Sequence, residues 1–154
     1  MEGALLSLQA SDFAAAMRSS QWLYPLANVV HILSLLVFFA AVAAMDVRAL
    51  KASTVAEARA FVGRVRPVAI VAFLVQVATG VMLLAPEASH IAMNPVFRIK
   101  LGAIAVGLLN VGLLEGMLRG RDREGVTTGM RTAAGASLLV WLTAAALGRL
   151  IAYF

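Results

Sequence analysis

The chain has 154 residues, of which 62% are apolar and 14% are charged. An average soluble domain has about 45–50% apolar and about 25% charged residues. A soluble domain of this length buries only part of its chain and could not hide this much apolar surface, and the same composition excludes intrinsic disorder. The absence of cysteine excludes disulfides, thiolate metal sites and a cysteine nucleophile.

The charged residues leave four long apolar stretches free of charge. A helix needs about 20 predominantly apolar residues to span a bilayer, and flanking Lys and Arg side chains can reach back to the headgroups. The sequence therefore predicts an all-α polytopic membrane protein, a four-transmembrane-helix bundle forming one integral membrane domain over residues 1–154. The predicted spans are about 22–45, 67–85, 95–117 and 129–152, and residues 1–20 are predicted to form an N-terminal interfacial helix.

The N-terminal segment does not have the pattern of a signal peptide, because its start is acidic and its apolar run is too short. We expect a helix at the membrane surface, with Leu6, Phe13 and Met17 on one apolar face. Ser11 is expected to cap the second half of this helix.

The first predicted span begins with Trp22 and Tyr24, which are typical of the aromatic belt at a membrane interface. Residues 46–66 are predicted to form the first loop, with a short helix capped by Thr54. Pro67 then starts the second span or kinks the chain into it.

Residues 86–94 are predicted to form a short loop, after which Asn94-Pro95 is a strong helix start. The third span contains a Gly-x-x-x-Gly pattern at 112–116, which we expect to support close packing within the chain rather than dimerisation. A second polar loop is predicted at 118–131, and Thr127 or Thr128 is expected to cap the fourth span.

The distribution of Lys and Arg predicts the orientation of the protein. Nine of them lie in the loops after spans one and three, and four lie on the opposite side. The positive-inside rule then places both termini outside, in the periplasm, if the membrane is a bacterial inner membrane. The net charge of +5 is accordingly an orientation signal, and no nucleic-acid partner is expected.

Ionisable groups within a membrane span are candidate functional residues, because their burial is unfavourable. At about 1.5 Å per residue, His31, Thr79, Lys100 and Arg149 each lie about 8–13 Å from the outer boundary. Asn28 is one helical turn above His31 and on the same face. These residues predict an outward-facing polar pocket to which all four spans contribute.

Haem b is the first ligand that such a pocket could hold. A membrane histidine flanked by small residues, as His31 is, could provide an axial ligand and leave room for a flat macrocycle. Arg98, Lys100 and Arg149 could bind the haem propionates. The prediction is an electron-transfer module with the haem edge facing outward.

A second axial ligand is not evident from the sequence, and His90 and Met82 are the candidates. The same groups suggest a different hypothesis, in which His31, His90 and Met82 handle copper, because imidazole and thioether ligands suit this metal. Both cofactor hypotheses stay open on the sequence alone.

A third hypothesis requires no cofactor. The polar groups would lock the bundle of a structural or accessory subunit, or a cationic pocket would hold an anion, a lipid headgroup or a quinone. The sequence has no paired membrane carboxylates, no Ser-His-Asp set and no phosphate loop, so we favour a non-enzymatic module. The expected partners are the lipid bilayer and either a second copy of the chain or a membrane complex.

Four short motifs stand out along the chain: Trp22-x-x-Pro25-x-x-x-x-x-His31, Asp46-x-Arg48-x-Leu50, Thr79-Gly80 and Asn94-Pro95-x-Phe97-x-x-Lys100. Together they resemble a bacterial family of small four-helix inner-membrane proteins whose function is not established. The resemblance spans nearly the whole chain and implies the same fold and topology, but no activity. The architecture is also remotely similar to the membrane domains of copper-resistance proteins and b-type cytochromes. We further expect Asp46 to pair with a basic loop residue such as Arg66.

Overall fold

The computed structural model describes residues 2–119 and 125–153. Every regular element in these two ranges is a helix, and four of the helices are long and apolar enough to cross a membrane. This confirms the predicted all-α polytopic class. The middle of the loop predicted at 118–131 lies outside the described residues. In chain order the elements are α1 (Glu2–Gln9), α2 (Asp12–Ser19), α3 (Leu23–Lys51), α4 (Val55–Leu84), a 3-10 turn (Ala85–Glu87), α5 (Ala88–Met93), α6 (Pro95–Arg119), α7 (Thr128–Leu150) and a second 3-10 turn (Ile151–Tyr153).

We call the two ends of the bundle the terminal end and the loop end. At the terminal end α3 and α6 begin and α4 and α7 end, and at the loop end the turn between α3 and α4 lies beside the end of α6. Helix α3 packs closely against α4 and α7, and α6 packs closely against α7. Helices α4 and α6 touch only lightly, so the four spans form an open arrangement with α3 and α7 at its centre.

The N-terminal segment forms two short helices that lie on the terminal end. The Ser11 hydroxyl accepts a hydrogen bond from the backbone N–H of Ala14, which confirms Ser11 as the cap of α2. The prediction of a single helix with one apolar face is wrong, because Leu6 lies on α1 whereas Phe13 and Met17 lie on α2. Met17 is buried against the bundle, while Leu6 and Phe13 are exposed.

Two polar side chains of the N-terminal segment bind the segment after α4. The Gln9 side-chain oxygen accepts hydrogen bonds from the backbone N–H and the hydroxyl of Ser89, at 3.0 Å and 2.6 Å. The Arg18 guanidinium donates to the carbonyl oxygens of Gln9 and Pro86, both at 3.1 Å. The region predicted as a loop at 86–94 is therefore ordered into a 3-10 turn and α5, because the N-terminal helices pack on it.

The loop predicted at 46–66 is wrong in extent, because both flanking helices continue into it. Helix α3 has 29 residues and α4 has 30, so each is about 45 Å long, compared with about 30 Å for the hydrocarbon core of a bilayer. Only residues 52–54 separate the two helices. The Thr54 hydroxyl accepts from the Glu57 backbone N–H, which confirms the predicted cap, and α4 continues through Pro67.

A buried apolar cluster explains why these helices do not end with the uncharged stretches. Small side chains of α3 and α4 are fully buried here against α6 and α7, so helical packing continues where Lys and Arg occupy the exposed faces. The loop-end core consists of Ala49, Ala52, Val55, Ala58, Val62, Leu114, Leu118, Met130, Ala133 and Ala134.

A second cluster fills the middle of the bundle around Trp141. The Trp141 ring centroid lies 4.7 Å from that of Phe38 and 6.2 Å from that of Phe73, both in edge-on contact. The indole packs directly on Gly107 of α6, where an added Cβ atom would lie 2.8 Å from Trp141 Cζ2. Because residue 107 is glycine, the backbone of α6 can pack directly against the Trp141 ring of α7.

The Gly-x-x-x-Gly pair of α6 does not pack against other described residues. A Cβ atom added at Gly112 or at Gly116 would have no neighbour within 4 Å among residues 2–119 and 125–153, so the predicted intramolecular packing of this pair is wrong for the described part of the chain. Two predicted starts are confirmed: the Asn94 side chain accepts from the Val96 N–H at 2.8 Å, and Thr127, rather than Thr128, caps α7.

One ion-pair cluster joins α4 to α6 at the loop end. The Arg66 guanidinium binds the Glu115 carboxylate, which also accepts from Arg119 at 3.1 Å. The predicted pairing of Asp46 with Arg66 is therefore wrong, because Glu115 on the facing helix takes this arginine. Glu115 was assigned no role from the sequence, although its carboxylate links two helices that touch only lightly.

Candidate functional site

His31 lies between α3 and α4 toward the terminal end, and both of its ring nitrogens have partners on α4. Nδ1 is 2.9 Å from the Thr79 hydroxyl oxygen, and Nε2 is 2.8 Å from the Gln76 side-chain nitrogen. The Thr79 hydroxyl donates to the Val75 carbonyl oxygen at 2.7 Å, so its oxygen accepts from Nδ1–H. The Gln76 amide donates to Nε2, and these partners hold the imidazole in its neutral form.

Ser34 extends this network by one more contact between the same helices. Its hydroxyl lies 2.6 Å from the Gln76 side-chain oxygen and 3.0 Å from the His31 carbonyl oxygen. We call His31, Ser34, Gln76 and Thr79 the His31 cluster. Each of its interhelical hydrogen bonds is worth about 0.6 kcal/mol on average within a membrane. The cluster therefore fixes the register of α3 against α4.

The imidazole also lies close to the α4 backbone at Gly80. A Cβ atom added there would lie 3.4 Å from His31 Cε1, which is an ordinary van der Waals contact. Gln76, Thr79 and Gly80 lie on one face of α4, since they are spaced by three and four residues. This spacing is visible in the sequence, but it does not specify which residue of α3 the side chains of Gln76 and Thr79 meet.

Lys100 of α6 lies in the same half of the bundle as His31, because α3 and α6 both begin at the terminal end. Its side chain is half-buried, and its ammonium lies against Gly148 of α7, where an added Cβ atom would lie 3.1 Å from Nζ. Sequence analysis placed His31 and Lys100 at similar depth but did not identify the glycine beneath the ammonium.

No acidic side chain pairs with Lys100 among residues 2–119 and 125–153. The three ion pairs in these ranges all lie toward the loop end and use Arg48, Arg66 and Arg119 with Glu57 and Glu115. The terminal half of the bundle therefore contains a partly buried ammonium without a counterion in the described part of the chain.

Two of the predicted propionate-binding arginines point away from this region. Arg98 donates to the Ala92 carbonyl oxygen at 3.2 Å and lies 3.8 Å from the Met93 sulfur. Arg149 donates to the Tyr153 hydroxyl at 3.3 Å, with its guanidinium carbon 5.5 Å from the centre of that ring. Both arginines are exposed and have partners on their own segments.

The remaining predicted site residues are dispersed. Asn28 is exposed on α3 and has no hydrogen bond to the His31 cluster. His90 is exposed on α5, while Met82 is partly buried near the end of α4. Within the described ranges, no group of three or more His, Cys, Asp or Glu side chains could hold a metal ion. Of the predicted set, the structure brings together His31 and Thr79, with Lys100 nearby.

Haem ligation by His31 does not fit this hydrogen-bond arrangement without a rearrangement. An iron atom bound at Nε2 would have to replace the Gln76 amide, and one bound at Nδ1 would have to replace Thr79. The contact with Gly80 places α4 directly against the imidazole edge. The side chains as they stand thus support a polar contact between helices rather than an open axial position.

A lipid-facing groove of about 540 Å³ lies beside the His31 cluster, between α3 and α4. Its lining is apolar except for the Ser34 hydroxyl, which connects the groove to Gln76. Because the groove is open toward the bilayer, its walls suit hydrocarbon chains. The lining residues are Val30, Leu33, Ser34, Val37, Pro67, Val68, Val71, Ala72 and Val75.

The fold and this site define an all-α membrane protein with four candidate spans and a polar cluster between two of them. The chain belongs to the Family of unknown function (DUF6644), whose family model matches residues 19–154. This confirms the predicted membership of an uncharacterised family. Helix α1 and nearly all of α2 precede the matched region. No curated protein and no solved structure gives a significant match.

Proposed function

We propose that the bundle is a membrane-embedded binding module that holds an anionic group at the Lys100 ammonium, beside the His31 cluster. The observation that carries this proposal is the half-buried ammonium without an acidic partner in the described residues. Removing an ammonium from water is unfavourable unless an opposite charge compensates it. A bound anion would supply this charge.

The chemistry of Lys100 favours an oxyanion such as a phosphate or carboxylate group. An ammonium donates up to three hydrogen bonds and acts as a compact point charge. Gly148 leaves the space beside Nζ free of a side chain. The neutral His31 cluster forms a polar wall nearby without adding a second charge. By the positive-inside count, we propose that this site opens toward the periplasm of a bacterial inner membrane.

Thermal unfolding in nanodiscs tests this function. Wild-type protein, Lys100→Met and the control Lys51→Met are compared in phosphatidylcholine with inorganic phosphate, and separately in phosphatidylglycerol without it. Lys51 is an exposed lysine at the end of α3, so the control removes the same charge elsewhere. A ligand at 100 times its Kd stabilises the folded state by about 2.7 kcal/mol.

We expect phosphate or phosphatidylglycerol to raise the unfolding temperature of wild type and Lys51→Met, but not of Lys100→Met. A response to phosphate alone identifies a soluble anion as the ligand, whereas a response to phosphatidylglycerol alone identifies a lipid headgroup. Equal responses of all three proteins, or no response of wild type to either probe, would refute the proposal.

A structural role for the His31 cluster is the second candidate, because both imidazole nitrogens are satisfied by α4. In this case the chain is an accessory subunit of a membrane complex or a homo-oligomer, and the cluster serves only to lock α3 to α4. Haem b or copper at His31 requires exchange of the Gln76 contact or of the Thr79 contact. A visible spectrum and metal analysis of the purified protein test both cofactors.

A further inference from the structure

Four buried polar atoms, all on α3 and α7, have no hydrogen-bond partner within the described residues. They are Asp46 Oδ2, Arg48 Nε, Ser137 Oγ and Trp141 Nε1. Asp46, Ser137 and Trp141 are only 3%, 1% and 5% exposed. Ser137 lies next to the Asp46 carboxyl, although its Oγ does not meet hydrogen-bond geometry with Oδ2. Buried polar groups in proteins are nearly always hydrogen-bonded, so unpartnered atoms this deep in the bundle are candidate binding groups.

The cations of the surrounding helices do not compensate Asp46. On its own helix Arg48 binds Glu57, and on α4 Arg66 binds Glu115 of α6. On α7 the nearest cation is Arg131, which is exposed and lies six residues, or about 9 Å of helix, before Ser137. In the described part of the chain, no Lys, Arg or His nitrogen lies within 4.0 Å of the Asp46 carboxyl.

We propose that Asp46 is a proton-binding site within the bundle, with Ser137 as its neighbour on α7. A carboxylate buried without a cation is strongly unfavourable, whereas the neutral carboxyl needs no counter-charge. The Ser137 hydroxyl can donate to a carboxylate or accept from a carboxyl, so the missing cation, and not Ser137, favours protonation. The proton is taken up from water and forms an O–H bond on the carboxyl. No other reactant is needed.

The position of Asp46 allows this exchange with the aqueous phase at the loop end. Asp46 is five residues from Lys51, the last residue of α3, which corresponds to about 7.5 Å of helix. The indole N–H of Trp141 lies one turn beyond Ser137 on α7 and can only donate. The Trp141 N–H therefore favours a hydrogen-bond acceptor beside Ser137, such as the Ser137 oxygen or a bound water.

Infrared spectroscopy of the protein in nanodiscs tests the proposal. The C=O stretch of a protonated carboxyl is followed from mildly acidic to mildly alkaline pH in wild type, Asp46→Asn and the control Asp12→Asn. Asp12 is an exposed acid on α2. The expected result is a protonated-carboxyl band at mildly acidic pH, where an ordinary aspartic acid is ionised. The band should be present in wild type and Asp12→Asn and absent from Asp46→Asn.

In Ser137→Ala the band is expected to shift in frequency, because the carboxyl loses its polar neighbour. A wild-type spectrum without this band at mildly acidic pH would overturn the proposal, and so would a band that persists in Asp46→Asn. The wild-type titration decides the question by itself if the Asp46 variant fails to fold. None of these outcomes depends on whether Lys100 binds an anion.

Discussion

Replacement of Gly107 by alanine is expected to destabilise the bundle, although alanine is the better helix former. The added Cβ atom would lie 2.8 Å from Trp141 Cζ2 and 2.9 Å from Cε2. Carbon atoms pack best at about 3.5–4.0 Å, so the indole has to move by roughly 0.7–1 Å. The Trp141 ring cannot move freely, since Phe38 contacts it with a centroid distance of 4.7 Å.

Overpacking of a filled core costs about 1–3 kcal/mol, while replacement of glycine in a helix by alanine gains up to about 1 kcal/mol. We therefore expect Gly107→Ala to lower the free energy of unfolding by about 1–2 kcal/mol. Gly112→Ala is the matched control, because the same substitution on the same helix meets no atom within 4 Å. The control is expected to be neutral or slightly stabilising.

Reversible unfolding in mixed detergent micelles, followed by circular dichroism, measures both variants. Tryptophan fluorescence in a Trp22→Phe background adds a direct report on Trp141, the other tryptophan of the chain. Its emission is expected to change in Gly107→Ala and to be unchanged in Gly112→Ala. If the two alanine variants are equally stable, the described contact between α6 and α7 does not determine the packing of this region.

Three further predictions concern the polar contacts. Gln76→Leu should lower the free energy of unfolding by about 1–2 kcal/mol, because it removes hydrogen bonds to His31 and Ser34; a stability equal to wild type would contradict the cluster. Glu115→Gln should destabilise the protein by about 1 kcal/mol at low salt and by less at high salt, since the Arg66 pair is partly exposed; an effect independent of salt would argue against the ion pair. If haem b binds at His31, a Soret band that shifts on reduction should be lost in His31→Ala, whereas a colourless, copper-free wild type contradicts both cofactor hypotheses.

The class of the protein and the number of its candidate spans follow from the sequence alone. Uncharged stretches near the length of a bilayer require helices, because backbone groups in lipid must be satisfied within the segment. The helix starts at Ser11, Thr54 and Asn94 were equally predictable, since a short polar side chain satisfies the free N–H groups next to it.

The length of α3 and α4 was not predictable from charge. Residues 46–66 hold enough Lys and Arg to resemble a loop, but these side chains occupy the exposed faces of two helices. The opposite faces carry Ala49, Ala58 and Val62, which are buried in the loop-end core. The same limitation applied to Arg66, whose partner Glu115 is 49 residues away and faces it only because α4 lies beside α6.

In the candidate site, too, the residues were predictable from the sequence but their contacts were not. Sequence analysis identified His31 and Lys100 because ionisable groups are rare in membrane spans, and this requires no knowledge of their neighbours. Their surroundings depend on which helices pack together and in which register. Packing of α3 on α4 gives both His31 nitrogens partners 45 and 48 residues away, and packing of α6 on α7 places Lys100 over Gly148 rather than beside an acid.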